Sequence, residues 1–443
     1  MQPDEFYFEP TEYNAKCKIQ TKCDVKGFLA ILKETGMEPE LKWFEDHPQF
    51  GHILHMVEEP NHRVQGLWML LLRTVKVDRD NVVWFVVNGV PIRYSLREHA
   101  LLCGFNCEDY PVGMNPSKTS GKYKSKLKMK VFGEKKKVCI KDVRDELMSM
   151  IDEETSKKRL KLTILLFLCS VIASKPNVEG NIDLFLWKMA ENPDLCITFP
   201  WGRLTFENTV KVLYHGLELM NGSAKKSFCA PAFAIPLEIL AFEAIPILKK
   251  SCRVVVDKLI PTCPRMCKTK FSLYGKKGWS MKELYGKLGD TQDIESILVT
   301  EYEEEEELLS HIFYPTYDGF DIMLDGWINH LEAKKKICWK ELFDVDVASR
   351  NSNKQGTLPV EKLDPKKNPA LLQYLKTFED SLRQEFREEY ATKEELKKKN
   401  KKLRTRVKLL RGKVRFLRSE VKSLRSYDYG GYGYEYEAEE TEK

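Results

Sequence analysis

A short stretch near residue 90 restricts the fold more than any other part of the sequence. β-Branched and aromatic residues from Val82 to Tyr94 are interrupted by Asn88-Gly89. Because an Asn-Gly pair readily adopts the positive φ angles of a type I′ turn, the stretch is predicted to form a β-hairpin. Pro91 has no N–H to donate to a strand ladder, which indicates a sheet edge or a very small sheet.

Helical signals follow this hairpin. Ser95 stands three residues before Glu98, which is the spacing of a capping box, and Gly104 can end the short helix that they begin. The almost wholly apolar segment Leu160–Ala173 is predicted to be a core helix. So is a second segment with apolar residues at helical spacing, namely Phe206, Val210, Leu213, Leu217 and Met220. The predicted fold class is predominantly α with a small β-hairpin element, an α+β fold.

Changes in composition and the positions of turn-forming residues divide the chain into six predicted parts. These are an N-terminal segment at 1–44, a helical domain at 45–250 that contains the hairpin near 82–94, a smaller mixed module at 251–348, a linker at 349–368, a coiled coil at 369–426 and a disordered tail at 427–443. The linker contains Gly356, Pro359 and Pro365 among polar residues, and the tail is rich in Tyr, Gly and Glu. The 42% hydrophobic content is sufficient for at least one core.

Secretion and membrane insertion are not expected. The longest apolar stretch, Leu162–Ala173, is well short of the roughly 20 residues that span a bilayer, and residues 1–6 have neither a basic start nor an apolar run. Twelve scattered cysteines, mostly within apolar segments, are typical of reduced packing residues in an intracellular protein.

Three motifs occur in the order found in a plant protein family. Trp84–Glu98 is followed by Phe199–Phe206 and then by Ala234–Glu238 with Ala241–Pro246. On these motifs, roughly residues 45–250 resemble the plant family DUF1985. The resemblance implies a domain whose own activity is not established. It also implies an origin in transposon-related genes, whose products often join this domain to a ubiquitin-like (SUMO) cysteine protease domain.

The protease partner of that family is not recognisable in this sequence. Such an enzyme needs a His, an Asp and a Cys-Gly pair preceded by a Gln for the oxyanion hole. The Cys103-Gly104 pair has Glu98 five residues earlier instead. We therefore expect a non-catalytic, transposon-derived interaction protein. The alternative is an accessory module of a SUMO-type cysteine protease encoded elsewhere.

Two groups of His and Cys residues are too incomplete to predict a metal site. The first comprises His47, His52, His55 and His62. Two of these imidazoles would share a helical face, but no Cys, Asp or Glu stands at a matching spacing. Cys263 and Cys267, with Cys252 upstream, lack the second ligand pair that a structural zinc needs. No metal, cofactor, small-molecule substrate or catalytic residue is predicted.

The clearest functional signal is a seven-residue repeat near the C-terminal end. Leucines at the d positions alternate with three valines and one asparagine at the a positions, which is typical of a parallel two-stranded coiled coil. The predicted interface is Leu396, Asn400, Leu403, Val407, Leu410, Val414, Leu417, Val421 and Leu424. Asn368 and Pro369 suit the N-cap and the first position of the helix.

Charges beside this interface leave the coiled-coil partner open. In a parallel homodimer, three of the four g–e′ pairs would be repulsive, for example Lys399 with Arg404. Each exposed like-charge pair costs only a few tenths of a kcal/mol, whereas each buried Leu or Val contributes roughly 1.5–3 kcal/mol. Self-association, parallel or antiparallel, and an acidic coiled-coil partner are therefore equal alternatives.

Two lysine-rich segments make nucleic acid a further candidate partner. Residues 116–141 carry ten lysines against one acid and are predicted to form an exposed loop or ribbon. Residues 390–426 hold fifteen Lys or Arg against three acids, a net charge of +12 (15 minus 3) in a chain of net charge +6. Contacts from such segments to phosphates would be salt-sensitive and largely independent of sequence.

A basic cluster within the predicted coil resembles a nuclear localisation signal. Its residues are Lys397, Lys398, Lys399, Lys401, Lys402 and Arg404. It predicts a nuclear protein, with the cytoplasm as the alternative.

Overall fold

The computed structural model describes residues 2–3, 5–34, 37–57, 65–79, 81–114, 116, 123–150, 156–175, 179–230, 233–257, 260–272, 279–312 and 322–351. All of them belong to one unit, Met1–Gln355. The predicted boundaries at residues 44/45 and 250/251 fall inside this unit. Most of the predicted linker and all of the predicted coiled coil and tail lie outside the described residues.

Helices dominate the described residues, and short strands occur between them, so the fold is α-rich α+β as predicted. In chain order the elements are a 3-10 turn Pro10–Glu12, β1 Lys18–Thr21, α1 Val25–Glu34, α2 Glu38–Glu45, α3 Gly51–Leu54, α4 Gln65–Leu71, β2 Val83–Val87, β3 Val90–Tyr94, α5 Leu96–Cys103, α6 Lys126–Phe132, α7 Ile140–Ser149, α8 Lys157–Phe167, a π-helical turn Leu168–Ile172, α9 Leu184–Glu191, α10 Pro193–Thr198, α11 Trp201–Met220, β4 Ser227–Ala230, α12 Ile235–Ala244, α13 Pro246–Cys252, β5 Arg253–Val255, α14 Arg265–Lys268, β6 Thr269–Phe271, α15 Met281–Leu288, α16 Glu303–Ser310, α17 Ile322–Glu332 and α18 Lys340–Asn351. The strands pair as β1 with β4 in parallel, and as β2 with β3 and β5 with β6 in antiparallel.

The predicted hairpin is confirmed as β2 and β3. Their antiparallel register places Val87 opposite Val90. At the turn between them, Asn88 and Gly89 take φ angles of 48° and 71°. This sheet contains two strands, which agrees with the small sheet expected from Pro91.

The helix after the hairpin begins and ends as predicted. Ser95 and Glu98 form a reciprocal capping box at the start of α5, and Gly104 ends it with a φ angle of 69°. A Cβ atom at Gly104 would lie 2.9 Å from the Cβ of Pro264 and 3.1 Å from the ring of His52. Glycine is therefore required here both for the left-handed conformation and for the close approach of the loop before α14.

One large core joins the hairpin to the predicted core helices. Side chains at Leu162–Phe167 of α8 are buried, as are the five apolar residues predicted on α11. Phe8 from the N-terminal segment and Leu284 from α15 belong to the same cluster. Apolar side chains from both sides of position 250 thus pack in the same core. Among the described helices, none combines the length and the apolar character needed to cross a bilayer.

A second, smaller core covers the other face of the hairpin. Trp84 and Val86 of β2 pack there with Leu324 and Trp327 of α17. The rings of Trp84 and Trp327 lie edge to face with centroids 5.5 Å apart, an arrangement that the ring quadrupoles favour. Because successive side chains of a strand point to opposite faces, these two cores bury β2 on both sides.

α18 lies against the hairpin turn. Asp346 forms two hydrogen bonds of 2.6 and 2.8 Å with the Arg73 guanidinium and accepts the backbone N–H of Asn88 at 3.0 Å. One helical turn later, Arg350 donates to the Asn88 side-chain oxygen at 2.5 Å. These contacts attach the last described helix to the turn between β2 and β3.

Candidate functional site

Most of the predicted site residues lie outside the described residues. These are the coiled-coil interface Leu396–Leu424 and the basic cluster Lys397–Arg404. The first lysine-rich segment is described at Pro116 and at residues 123–141. We call residues 123–141 the lysine surface.

The lysine surface contains a helix, so the prediction of a loop or ribbon is wrong for residues 126–132. α6 has Ser125 as its N-cap, whose hydroxyl accepts the Lys128 N–H at 2.9 Å. Leu127 is buried, and the Phe132 ring packs edge to face on Trp187 with centroids 6.1 Å apart. The N-cap and these apolar contacts stabilise a helix that the run of lysines obscures.

Glu191 of α9 holds the start of α6 in place. Its carboxylate accepts hydrogen bonds from the Tyr123 and Ser125 hydroxyl groups and from the Leu127 N–H at 2.7 Å. Burial and the hydrogen bond to the Glu191 carboxylate raise the pKa of the Tyr123 hydroxyl well above its ordinary value, so it remains a donor. Three donors on one carboxylate attach the lysine surface to α9.

The lysine surface is strongly cationic. It carries eight lysines and one acid, Glu134, a net charge of +7 (8 minus 1). Lys128 is half-buried and the other seven are exposed; they are Lys124, Lys126, Lys130, Lys135, Lys136, Lys137 and Lys141. The Lys135 ammonium is partly neutralised by the Asp142 carboxylate 2.9 Å away. Exposed ammonium groups at this density can contact several phosphates of one polyanion.

The predicted histidine group has packing roles where it is described. The ring of His47 stacks on Phe50 with centroids 3.9 Å apart, and its Nδ1 accepts the N–H groups of Gln49 and Phe50. Burial lowers the pKa of His47 and of His52 to about 4. His62 lies outside the described residues. Across the parts of the chain that are described, no group of three or more His, Cys, Asp or Glu side chains is arranged to hold a metal ion.

The cysteines singled out from the sequence are buried. Burial raises the thiol pKa of Cys103, at the end of α5, to about 12 and that of Cys252 to about 11. A thiol with a raised pKa is a poor nucleophile at neutral pH. Cys263 lies before α14 and Cys267 within it, where the Cys267 thiol donates to the His52 carbonyl oxygen at 3.1 Å.

The sequence analysis missed a buried series of three hydrogen-bonded side chains. The Tyr94 hydroxyl lies 2.7 Å from His99 Nδ1, and His99 Nε2 lies 2.9 Å from the Thr205 hydroxyl. Burial lowers the pKa of His99 to about 3, so its imidazole is neutral. All three side chains are fully buried, and their hydrogen bonds join β3, α5 and α11. Thr205 lies 106 positions after His99, so no local pattern could have revealed the contact.

Comparisons with known proteins agree with the resemblance seen in the motifs. Residues 71–212 match the family model of a domain of unknown function, DUF1985. Residues 294–343 match a model described as a Drosophila protein of unknown function, DUF287. Over 356 residues the chain is 29% identical to an uncharacterised protein of Arabidopsis thaliana, in an alignment that covers 79% of this chain and 44% of that protein.

The chain therefore spans less than half the length of the plant relative that it matches. No solved structure matches it. The DUF1985 match contains β2, β3 and α5 and ends within α11, so the hairpin and the capped helix that suggested the resemblance both lie inside it. The chain is a DUF1985 domain-containing protein with a relative in plants.

Proposed function

We propose that this chain is a non-catalytic, nuclear interaction protein that presents the lysine surface to nucleic acid and assembles through residues 369–426. The observation that carries the proposal is that eight lysines with a single acid lie on a segment attached to α9 by Glu191. A segment that is already ordered loses less conformational entropy on binding than a free lysine-rich chain does.

The composition of the lysine surface favours contacts to the phosphate backbone. Residues 123–141 contain lysine but no arginine. A lysine ammonium is a compact, hydrated point charge without the rigid planar fork of donors that arginine has. Phosphate contacts position a protein on nucleic acid without specifying sequence, so we expect binding with little sequence preference.

The predicted coiled coil would bring two lysine surfaces into one assembly. Its heptad repeat from Leu396 to Leu424 supports this part of the proposal. Binding of a second surface to the same nucleic acid would then be intramolecular, which raises the overall affinity. The net charge of +12 at residues 390–426 would add further phosphate contacts (15 minus 3). The cluster Lys397–Arg404 supports the nuclear assignment.

A salt titration tests the role of the lysine surface. The full chain is titrated into a short fluorescent DNA duplex of mixed sequence, and the affinity is measured at several salt concentrations. In the triple variant Lys126→Gln, Lys130→Gln and Lys137→Gln, the slope of log affinity against log salt should become shallower by about 0.9 for each lost phosphate contact.

The matched control removes three exposed lysines from other helices. These are Lys211→Gln on α11, Lys282→Gln on α15 and Lys340→Gln on α18, all at exposed positions. Both triple variants have the same net charge, so a difference between them reports the location of the contacts. Equal slopes and equal affinities in the two variants would contradict the assignment of nucleic-acid binding to the lysine surface.

A further inference from the structure

The parallel pairing of β1 and β4 brings together a second group of lysines. The N–H of Lys18 on β1 donates to the carbonyl oxygen of Lys226 at 2.9 Å, and the register places Lys18 opposite Ser227 of β4. Lys16 precedes Lys18 by two residues, and Lys225 directly precedes Lys226. We call Lys16, Lys18, Lys225 and Lys226 the strand lysines.

All four strand lysines are exposed. Cys17 and Ile19, which alternate with the first two of them, are buried. This alternation is expected for β1 and the residues that lead into it, because successive side chains of an extended segment point to opposite faces. Across the described residues, no carboxylate forms an ion pair with a strand lysine. The four ammonium groups therefore present their charges to solvent.

Acidic residues are scarce around the strand lysines. Residues 13–23 contain three lysines and residues 219–230 contain two, and neither segment contains an acid or an arginine. One carboxylate reaches the group from outside these segments, that of Glu12, which accepts the Ala224 N–H at 2.9 Å. With Glu12 counted, the group has a net charge of +3 (4 minus 1). Like the lysine surface, it offers lysine ammonium groups, which suit phosphate.

α7 links the strand lysines to the lysine surface. Lys141, the last residue of that surface, lies in the first turn of α7, and Arg144 follows three residues later. The Arg144 guanidinium lies 3.5 Å from the carboxylate of Asp24, which comes three residues after the end of β1. At about 1.5 Å per helical residue and about 3.3 Å per extended residue, and with these two side chains between them, Lys141 and Lys18 lie within about 40 Å of each other. One turn of a B-form duplex covers about 34–36 Å, so a single duplex is long enough to reach both groups.

We propose that the strand lysines form a second phosphate-contacting patch, which binds the same nucleic acid as the lysine surface. This inference rests on the proposed function of the lysine surface. Both groups belong to one folded unit, so the second contact is intramolecular and strengthens binding even within a single copy of the chain. Each strand lysine that contacts a phosphate steepens the dependence of log affinity on log salt by about 0.9.

Lysine footprinting of the full chain tests the proposal. The chain is acetylated briefly with an N-hydroxysuccinimide ester, alone and with a mixed-sequence duplex of about 20 base pairs, roughly two helical turns. Modified positions are identified by mass spectrometry. The duplex should slow acetylation of the strand lysines severalfold, together with that of Lys126, Lys130 and Lys137. Acetylation should not change at three lysines that are exposed elsewhere, namely Lys282, Lys335 and Lys340.

The footprint separates this inference from the proposed function. Slower acetylation of the lysine surface without the strand lysines would overturn this inference alone, and would leave the strand lysines to an acidic protein partner. No change at either group would overturn both. Equal protection of the three lysines elsewhere would mean that the duplex coats the chain without a preferred surface, which would also overturn the inference.

Salt titration of variants gives an independent measurement. In the triple variant Lys16→Gln, Lys18→Gln and Lys226→Gln, the salt slope should become shallower by about 0.9 for each lost contact. Combining it with the triple variant of the lysine surface should add the two losses, because both groups contact one duplex. The matched control has the same net charge and should keep nearly the wild-type slope; it is Lys282→Gln, Lys335→Gln and Lys340→Gln. A strand-lysine variant with the slope of this control would contradict the proposal.

Discussion

Arg73 and Asp346 are 273 positions apart in the chain and form a buried, bidentate ion pair. The guanidinium also lies 4.2 Å from the centroid of the Tyr13 ring and donates to the Tyr285 hydroxyl at 3.0 Å. The carboxylate accepts the Asn88 N–H of the hairpin turn as well. One ion pair therefore joins the segment after α4, the hairpin turn, α15 and α18.

Asp346→Asn should destabilise the fold by about 3–5 kcal/mol, because it leaves the Arg73 charge buried without its counter-ion. The free energy of unfolding is measured with urea. The control is Asp344→Asn on an exposed position of the same helix, which should change stability by no more than about 0.5 kcal/mol. Similar losses in the two variants would show that the pair contributes little.

Gly104→Ala should destabilise the fold by about 2–4 kcal/mol, because it forces a Cβ into the left-handed region and against Pro264. Gly113 has a similar φ angle of 78° but nothing within 4 Å of its Cβ position. Gly113→Ala should therefore cost only about 1 kcal/mol, from the backbone alone. Thermal or urea unfolding compares the two, and equal losses would contradict the close packing of α5 and Pro264.

Glu191→Ala should loosen α6 without removing a lysine, since it deletes the acceptor of three hydrogen bonds. Trypsin should then cleave within residues 123–137 faster than in the wild type, and affinity for DNA should fall. The control Asp194→Ala changes an exposed acid on the neighbouring helix. If cleavage rates match in the two variants, Glu191 does not hold the lysine surface.

Acid should destabilise the fold through His99. Burial lowers its pKa to about 3 in the folded chain, whereas an unfolded imidazole titrates near about 6.5. Between these values the unfolded chain binds the extra proton, so this contribution to stability is complete above about pH 6.5 and is lost as the pH falls toward 3.

His99→Gln should remove this pH dependence. The difference in unfolding free energy between wild type and variant should shrink by about 2 kcal/mol when the pH falls from about 8 to about 5. The measurement at the higher pH gives the effect of the altered packing alone, because the imidazole is then neutral in both states. A difference that stays constant would show that His99 is not kept neutral by the fold.

The full chain should have a mass above the 51.7 kDa of one copy in light scattering, if the predicted coil self-associates. The mass should rise with salt, because salt screens the repulsive g–e′ pairs. Leu403→Ala with Leu410→Ala should reduce it, whereas Leu409→Ala, outside the a and d positions, should not. A single-copy mass at every salt concentration would instead favour an acidic coiled-coil partner.

Features that depend on neighbouring residues could be predicted. The Asn88-Gly89 turn, the Ser95–Glu98 capping box and the apolar spacing on α11 are all confirmed. The cationic character of residues 123–141 and the exposure of most of its lysines could also be predicted. α6 was missed because the run of lysines obscures its Ser125 N-cap and because Glu191, which holds its first turn, lies 64 positions after Leu127.

By itself, the sequence determined where turns, caps and buried helices occur, because these depend on interactions within about four residues along the chain. It also contains the DUF1985 motifs and a heptad repeat. Assembly through that repeat stays a prediction. Only the tertiary structure decided that Arg73 meets Asp346 and that His99 lies between Tyr94 and Thr205. The physical reason is that a buried polar group needs a partner, but the path of the backbone decides which group reaches it.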